Sequence, residues 1–365
     1  MYPSGLKRRL VIRRPVITYK GLNAFLLWII LFILVAYNTN NLDYSAYYSN
    51  YNNLNWVKGS EYLYFALEFV FKSLDFSFTQ FKIVIALLSY ILLAKFANTF
   101  AKNSPVFYVL YFIYPFFLDS VEIRHFLGLG IWLNGVSCLL ESKHFPRIKY
   151  IASIILAAGI QSMYLIFFPL VLCFEVRIRE RKNIKYLLLT SSLLSILLVF
   201  LPSVTLSIIS RSFALFSAFL GNDSRNEYYN AVHTNLGFLV FLAESLFSFF
   251  IFWMMYNDQI YVGLQKHEDR LFEFSYVVSI FLIILSPLYR INGQFMRITQ
   301  ASVVLFHVTV IMYMRRAQYS PGRYKKLIPF CYFIYILMLF FVSIGYTHFD
   351  DIIINIFQNN SLWTT

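Results

Sequence analysis

A small group of arginines is set apart from the other basic residues of this chain by position and by chemistry. Most of its 31 Lys and Arg residues lie in segments between apolar runs that the charge bias of membrane proteins predicts to be cytoplasmic. Those outside these segments are Lys58, Lys72, Lys82, Arg124, Arg211, Arg225, Arg290 and Arg297. The planar guanidinium fork of arginine binds phosphate or carboxylate oxygens through two parallel hydrogen bonds. These arginines therefore predict acidic partners or an anionic ligand.

Arg124 begins an apolar run directly after two carboxylates. It lies within Asp119-Ser-Val-Glu122-Ile-Arg124-His125-Phe-Leu-Gly128. Gly128 follows about one helical turn later and leaves room for a ligand or another helix beside the arginine stem. The alternative is a structural ion pair between Arg124 and either Asp119 or Glu122.

Arg290 and Arg297 flank Asn292-Gly293, a dipeptide that favours a tight turn. The turn predicts that Arg290 ends one helix and that Arg297 begins the next, so that both lie at the same outer end of the helix bundle. Two fixed positive charges at one end suit a diphosphate. The alternative, which applies more to Arg290 than to Arg297, is that the side chain extends to lipid headgroups.

Aromatic and polar residues dominate two loops predicted on the same side as these arginines. In the first loop, Asp43 precedes four tyrosines at the three- and four-residue spacing of a helix face. They are Tyr44, Tyr47, Tyr48 and Tyr51. Rings beside a carboxylate suit the binding of sugars, and they suit a membrane-surface aromatic belt, which is the more common arrangement, equally well. The second loop, at 222–230, repeats the mix around Arg225 and Tyr228 without a defined spacing.

Motifs for several other kinds of chemistry do not occur in the sequence. It has no D-x-D pair for a metal-held nucleotide sugar, no G-x-x-x-x-G-K-[ST] loop, no G-x-S-x-G elbow and no H-E-x-x-H. The three cysteines lie singly in apolar runs, which favours neither disulfides nor a zinc site. Glu244 lies within an apolar run, where a proton-coupling role and a structural hydrogen bond are alternatives. We expect no metal and no cofactor.

The residues that position these groups are predicted to lie in lipid. Hydrophobic residues make up 59% of the 365 and charged residues only 13%, a balance that would leave large apolar patches on a water-soluble domain. The net charge of +13 is dispersed between apolar runs and not gathered on one face. This dispersal argues against a nucleic-acid partner.

Nine apolar runs are long enough, or nearly so, to cross a bilayer as helices. They lie at about 22–37, 81–98, 105–118, 123–140, 186–201, 236–256, 272–289, 296–314 and 327–346. Basic residues before the first run predict a cytoplasmic N-terminus. The same bias requires a short helical hairpin near 150–175, with its tip at Gly159, Gln161 and Ser162. Irregular backbone at such a tip is tolerated where it lines a cavity.

The predicted fold is an all-α polytopic bundle of about eleven crossings, with the hairpin counted as two. Amphipathic stretches at about 61–76 and 203–219 are predicted to lie on the outer face, where they frame a cavity or simply rest on the membrane surface. The chain divides into a basic cytoplasmic segment (1–20), a membrane domain (21–346) and a non-cytoplasmic tail (347–365).

The order of these landmarks resembles the EpsG/Wzy family of bacterial exopolysaccharide and O-antigen polymerases. Asp43-Tyr44-x-x-Tyr47 resembles the family's early D-x-x-x-Y loop, and Gly59-Ser60-Glu61 is similar to its next segment. Ile123-Arg124-His125 resembles the family's Ile-Arg-Gln, and Phe295-Met296-Arg297 its late arginine. The likeness runs from about 40 to 315.

Two positions depart from the family pattern. Gln161-Ser162 stands where the family commonly has His-Ser, and His125 stands where it has Gln. Because an amide does not titrate, Gln161 cannot serve as a base. Either His125 takes the proton in its place, or the tip of the hairpin only binds.

The resemblance implies a GT-C-like architecture and a polymerase at the outer face of the bacterial inner membrane. Its substrate would be an undecaprenyl-diphosphate-linked oligosaccharide repeat unit. Membrane lipids would surround it, and a chain-length regulator and the flippase of the same pathway would be its partners.

The resemblance also implies roles for individual residues. Arg124, Arg290 and Arg297 would stabilise the departing diphosphate without a metal. The base would be His125, Asp43 or Glu61, with His125 preferred because imidazole titrates near neutral pH. The remaining substrate-binding candidates are Tyr44, Tyr47, Gln161, Ser162, Arg225 and Tyr228.

Two other functions remain compatible with the sequence. A lipid-linked oligosaccharide flippase or other transporter would also need a cationic cavity, one that opens alternately to both sides. A non-catalytic membrane subunit of a polysaccharide assembly complex would tolerate the replacement of Arg124 and Arg297.

Overall fold

The computed structural model describes most of the chain, and the part it describes is helical. The described residues are 19–53, 61–173, 186, 189–190, 193, 237–258, 266–290, 295–317, 323–345 and 348–363. Within them, the one extended pairing is an isolated bridge between Asn38 and Asn360. The all-helical class predicted from the sequence is therefore confirmed for these residues.

Helices of very different length alternate along the described chain. The first eight are α1 (Tyr19–Ala36), α2 (Tyr44–Asn52), α3 (Tyr62–Ser73), α4 (Phe78–Ala101), α5 (Pro105–Ile113), α6 (Phe116–Val121), α7 (Ile123–Glu141) and α8 (Pro146–Ile160). A 3-10 helix (Ser162–Phe167) and α9 (Leu170–Cys173) follow. The remainder are α10 (Gly237–Asn257), α11 (Lys266–Leu285), a 3-10 helix (Ser286–Arg290), α12 (Met296–Ala317), α13 (Leu327–Ser343), a π-helix (Phe349–Ile354) and α14 (Asn355–Gln358).

Five of the described helices are long and apolar enough to cross a membrane. They comprise α4, α7, residues Leu239–Asn257 of α10, the stretch Asp269–Tyr289 and α12. Shorter apolar helices cover Gly21–Ala36, Ser162–Leu172 and Leu327–Ser343. The protein is thus a multi-pass membrane protein, whereas the eleven crossings and the GT-C-like arrangement stay predictions.

The apolar run predicted at 105–118 is broken into two short helices. α5 ends at Ile113 because Tyr114 is extended (φ −160°, ψ 131°) in front of Pro115. A residue before proline is pushed out of the helical region by the proline ring. The prediction of one continuous helix there was wrong, and α6 instead carries Asp119 into the core, where it is 0% exposed.

The predicted hairpin near 150–175 has its break at the expected place. α8 ends at Ile160, Gln161 is extended (φ −145°, ψ 110°), and the chain resumes as a 3-10 helix at Ser162. The hydroxyl of Tyr150 donates to the main-chain oxygen of Phe167 (3.0 Å), so the second limb runs back along α8.

Glycines allow α7 to lie close to its neighbours on two sides. A Cβ at Gly128 would come within 2.4 Å of the Tyr164 ring, and one at Gly135 within 2.5 Å of the Ser153 Cβ. A Cβ at Gly130 would meet the Leu92 Cβ of α4 at 2.9 Å. Small residues at helix interfaces permit such close approach in membranes. The space predicted beside Gly128 is therefore filled by Tyr164.

The C-terminal segment packs against the end of α1. The Thr39 amide donates to the Asn359 oxygen (2.8 Å), and the Ser361 amide donates to the Tyr37 oxygen (2.9 Å). The side chain of Asn41, just after α1, donates to the Ser120 oxygen of α6 (3.3 Å). The end of α1, α6 and the C-terminal segment therefore share one end of the bundle.

Candidate active site

Arg124 begins α7 and lies between two tyrosine rings. Its guanidinium carbon is 4.9 Å from the ring centre of Tyr47 in α2 and 5.6 Å from that of Tyr64 in α3. Nη1 is 2.6 Å from Oε2 of Glu61, and Nε donates to the Tyr47 hydroxyl (3.3 Å). The side chain of Arg124 is 24% exposed and that of Glu61 only 2%. The guanidinium thus lies between solvent and a buried carboxylate.

The ion pair considered from the sequence for Arg124 forms with a different partner. Asp119 and Glu122 were the expected carboxylates, but the observed partner is Glu61, which directly precedes α3. Glu122 instead pairs with Arg297, at 2.7 Å between Oε1 and Nη2. Each arginine is therefore bound by a carboxylate that belongs to another segment of the chain.

Arg297 and Arg124 belong to one electrostatic cluster. Burial raises the pKa of Glu122, and Arg297 and Arg124 both oppose the shift. Burial likewise raises the pKa of the Tyr47 hydroxyl, which Arg124 opposes and Asp43 reinforces. Arg297 is in turn within electrostatic range of Tyr47 and Asp43. The start of α2, the start of α7 and the start of α12 thus meet at one site.

One face of α3 adds three polar side chains to this cluster. Glu61, Tyr64 and Glu68 follow at three- and four-residue steps, so they point to the same side of the helix. All three are at most 2% exposed. Burial raises the pKa of Glu68 to about 7, with Arg124 opposing and Glu61 reinforcing the shift. The opposite face of α3 exposes Tyr62, Phe69 and Val70, as expected of an amphipathic surface helix.

His125 lies in the core behind the start of α7. The Tyr164 hydroxyl donates to the His125 main-chain oxygen (2.9 Å) and lies 3.0 Å from Nδ1. Because the hydroxyl has one proton, Nδ1 must then donate to it, and Nε2 is left as the basic nitrogen. Nε2 is 3.9 Å from Oδ1 of Asp119, and the His125 side chain is 1% exposed.

Asp119 is held in place from two other helices. The Tyr111 hydroxyl donates to Oδ2 (2.8 Å), and Nε2 of Gln300 in α12 donates to Oδ1 (2.7 Å). Burial raises the pKa of Asp119 to about 8, although both hydrogen bonds oppose the shift. Asp119 thus joins α5, α6 and α12 next to His125.

The other predicted site residues are distributed around the cluster. Tyr44 faces away from Arg124: its ring packs against Phe78, and the Lys82 ammonium lies 5.5 Å from its centre. Gln161 and Ser162 form the tip of the hairpin, which approaches α3 where a Cβ on Gly159 would lie 3.0 Å from the Leu63 Cβ. Arg225 and Tyr228 lie outside the described residues, as does the side chain of Arg290.

Three residues of this site are not among the site residues predicted from the sequence. Tyr64 and Glu68 lie in a segment interpreted only as amphipathic, and Gln300 lies in a membrane helix. The seven-residue spacing of Glu61 and Glu68 was a usable signal, since it places two carboxylates on one helix face. The role of Gln300 depends on how α6 and α12 pack, which no local pattern shows.

The cluster offers anion recognition and proton transfer side by side. Two guanidinium groups provide forked donors for phosphate oxygens. Carboxyl groups within the same cluster can accept a proton, and tyrosine rings can stack on sugars. Among the residues that the structure describes, no group of three or more His, Cys, Asp or Glu side chains is arranged to hold a metal ion.

Comparison with known families gives one match. The model of the EpsG family matches residues 22–357, nearly the whole chain. No curated protein and no solved structure matches the chain.

Proposed function

Because the chain belongs to the EpsG family, we propose that it is a glycosyltransferase that polymerises polysaccharide in the bacterial inner membrane. Family membership and the membrane helices together indicate a membrane polysaccharide polymerase of glycosyltransferase type. The specific reaction proposed is the joining of oligosaccharide repeat units carried on undecaprenyl diphosphate. The site opens to the outer face, and the N-terminus is cytoplasmic.

The observation that carries this proposal is that Arg124 and Arg297 belong to one electrostatic cluster. Both arginines act electrostatically on Glu122 and Tyr47, although they lie 173 positions apart in the sequence. Two forked cations in one electrostatic cluster suit the two phosphates of a lipid diphosphate. The aromatic rings around them match a sugar attached to that diphosphate.

In the proposed reaction, a hydroxyl of the acceptor sugar attacks the anomeric carbon of the donor. The bond between that carbon and the diphosphate oxygen breaks, and the electron pair stays on the diphosphate. Arg124 and Arg297 stabilise the negative charge that develops there. The acceptor hydroxyl loses its proton to a carboxyl or imidazole group of the cluster.

The two ion pairs have a role in this scheme. Without substrate, Glu61 and Glu122 neutralise the arginines, which would otherwise be unpaired charges in a largely buried site. The diphosphate replaces these carboxylates as the arginine partner. Binding of the donor therefore exchanges one set of charge-assisted hydrogen bonds for another, and the displaced carboxylates must take up protons or water to remain stable in this site.

A strain that lacks the gene tests the proposal against a flippase. Loss of a polymerase leaves single repeat units on the cell surface, because units still reach the outer leaflet but are not joined. Loss of a flippase leaves the units on the inner leaflet and no surface product. Surface glycan of one repeat length is the expected result, and absence of surface repeats contradicts the proposal.

A further inference from the structure

Two buried polar groups beside Arg124 have no hydrogen-bond partner among the residues that the structure describes. They are Oε2 of Glu68 and the hydroxyl of Tyr64. Both side chains are at most 2% exposed. A buried polar group without a partner costs about 1–3 kcal/mol, so such a pair is retained where a ligand completes it.

The two groups complement a hydroxyl group in particular. Tyr64 and Glu68 are four residues apart on α3 and are therefore neighbours on the helix surface. A tyrosine hydroxyl can donate a hydrogen bond, and a carboxylate accepts one. A sugar hydroxyl both accepts and donates, so one such group satisfies both side chains.

We propose that Glu68 and Tyr64 form the subsite for the acceptor sugar hydroxyl and that Glu68 is its general base. The inference rests on the polymerase function proposed above and assigns a residue to its proton-transfer step. Tyr64 positions the hydroxyl oxygen, and Glu68 accepts its proton.

The charged and titratable groups that face Glu68 in the described part of the chain are compatible with this role. Arg124 of α7 and Glu61 of α3 act on its carboxyl with opposite sign, and the Tyr51 and Tyr64 hydroxyls lie within its electrostatic range. Burial raises the pKa of Glu68 to about 7. A base is most effective when its pKa lies near the working pH, so this environment suits catalysis at neutral pH.

The location of Arg124 explains how the donor and the acceptor are brought together. Its guanidinium covers the face of α3, stacked against the Tyr64 ring and paired with Glu61. When diphosphate oxygens take the guanidinium from Glu61, this face opens to the acceptor. Glu61 differs from Glu68 in that Arg124 binds its carboxylate at 2.6 Å, whereas Oε2 of Glu68 has no hydrogen-bond partner among the described residues.

The atoms and charges balance in this step. The acceptor oxygen forms its bond to the anomeric carbon as the carbon–oxygen bond to the lipid diphosphate breaks. The hydroxyl proton passes to the ionised Glu68, and the electron pair of the broken bond leaves with the diphosphate. Glu68 then releases its proton to water before the next cycle.

Substitution of Glu68 by Gln tests the inference, because Gln keeps the shape of the side chain and cannot take a proton. The purified full-length protein is assayed with lipid-linked repeat units extracted from a strain that lacks the gene. We expect Glu68→Gln to lower kcat by about 10²–10⁴-fold with little change in KM. Wild-type activity should fall as the pH drops below about 7, and this dependence should be absent from the residual activity of Glu68→Gln.

Two further variants complete the experiment. Asp75→Asn, which neutralises an exposed carboxylate just after α3, should keep wild-type activity. Tyr64→Phe should raise KM by about tenfold or less, the equivalent of one hydrogen bond. If Glu68→Gln does not fold, Glu68→Asp serves instead, since it keeps a titrating carboxyl but draws it back from the acceptor hydroxyl and should lower kcat.

The outcomes separate this inference from the proposed function. Wild-type protein that extends repeat units, together with Glu68→Gln of equal kcat and pH profile, overturns the role of Glu68 and leaves the polymerase function intact. A wild-type kcat in Glu68→Asp does the same. Wild-type protein that extends nothing overturns the proposed function and this inference with it.

Discussion

Replacing Arg124 by Lys removes the fork of the side chain and keeps its charge. Lysine can still pair with Glu61, whose Oε2 lies 2.6 Å from Nη1 of Arg124 in the wild-type protein. It cannot keep the bond from Nε to the Tyr47 hydroxyl (3.3 Å) together with that pair, and it has no flat surface to lie between the rings of Tyr47 and Tyr64. Only one contact to a phosphate oxygen is possible where the guanidinium would make two parallel ones.

The expected loss follows from the number of donors removed. One preorganised donor to a developing negative charge contributes about 2.7–4 kcal/mol, which corresponds to about 10²–10³-fold in kcat. The effect on folding is smaller, because the ion pair and part of the cation–ring attraction are retained. We therefore expect Arg124→Lys to lose at least a hundredfold in extension rate, about the lower bound for one donor, while its melting temperature changes little.

The assay is extension of purified lipid-linked repeat units, followed by gel separation of the product ladder and by a thermal melt of each protein. Arg147→Lys makes the same exchange at an exposed position in the first turn of α8 and should leave the ladder unchanged. Product of normal length at a normal rate from Arg124→Lys would refute the role of the fork. A large loss of melting temperature would show instead that Arg124 mainly stabilises the fold.

Two further predictions concern packing and pH. Gly128→Ala should destabilise the protein by about 1–3 kcal/mol, because the new Cβ would lie 2.4 Å from the Tyr164 ring; a thermal melt equal to that of the wild type would contradict this. Glu68 has a pKa raised to about 7 from 4.5, so the native state holds a proton that the unfolded state releases between these values, and stability falls as pH rises from about 4.5 to 7. Melting temperatures measured across that range should show a smaller fall for Glu68→Gln than for the wild type, and parallel curves would contradict the assignment.

The helices of the membrane domain were largely predictable because lipid imposes a simple rule. Long apolar runs must form helices there, since backbone groups have no other hydrogen-bond partner. The runs that became α4, α7 and α12 were found within a few residues of their observed ends. The break between α5 and α6 follows from Tyr114-Pro115, whereas length and hydropathy favour one continuous helix over the same run.

The residues that carry the chemistry of the site were predictable from their types. The side chains with which they interact were less predictable. Arg124 and Arg297 were selected because cations on that side oppose the general charge distribution. Their carboxylate partners, Glu61 and Glu122, are fixed by the tertiary fold, which brings the starts of α3 and α12 to the start of α7. Such contacts join segments distant in sequence, and no local pattern encodes them. His125 was placed at the head of α7 correctly, but its burial beside Tyr164 depends on the hairpin that follows α8.

The most direct test of the proposed function is extension of lipid-linked repeat units by this protein alone. The purified wild-type chain in lipid nanodiscs is incubated with repeat units extracted from a strain that lacks the gene. The proposed function predicts a ladder of products that grow by whole repeat units, and it predicts none from a protein in which Arg124 and Arg297 are both replaced by Gln. A wild-type reaction that yields only the starting single unit would contradict it.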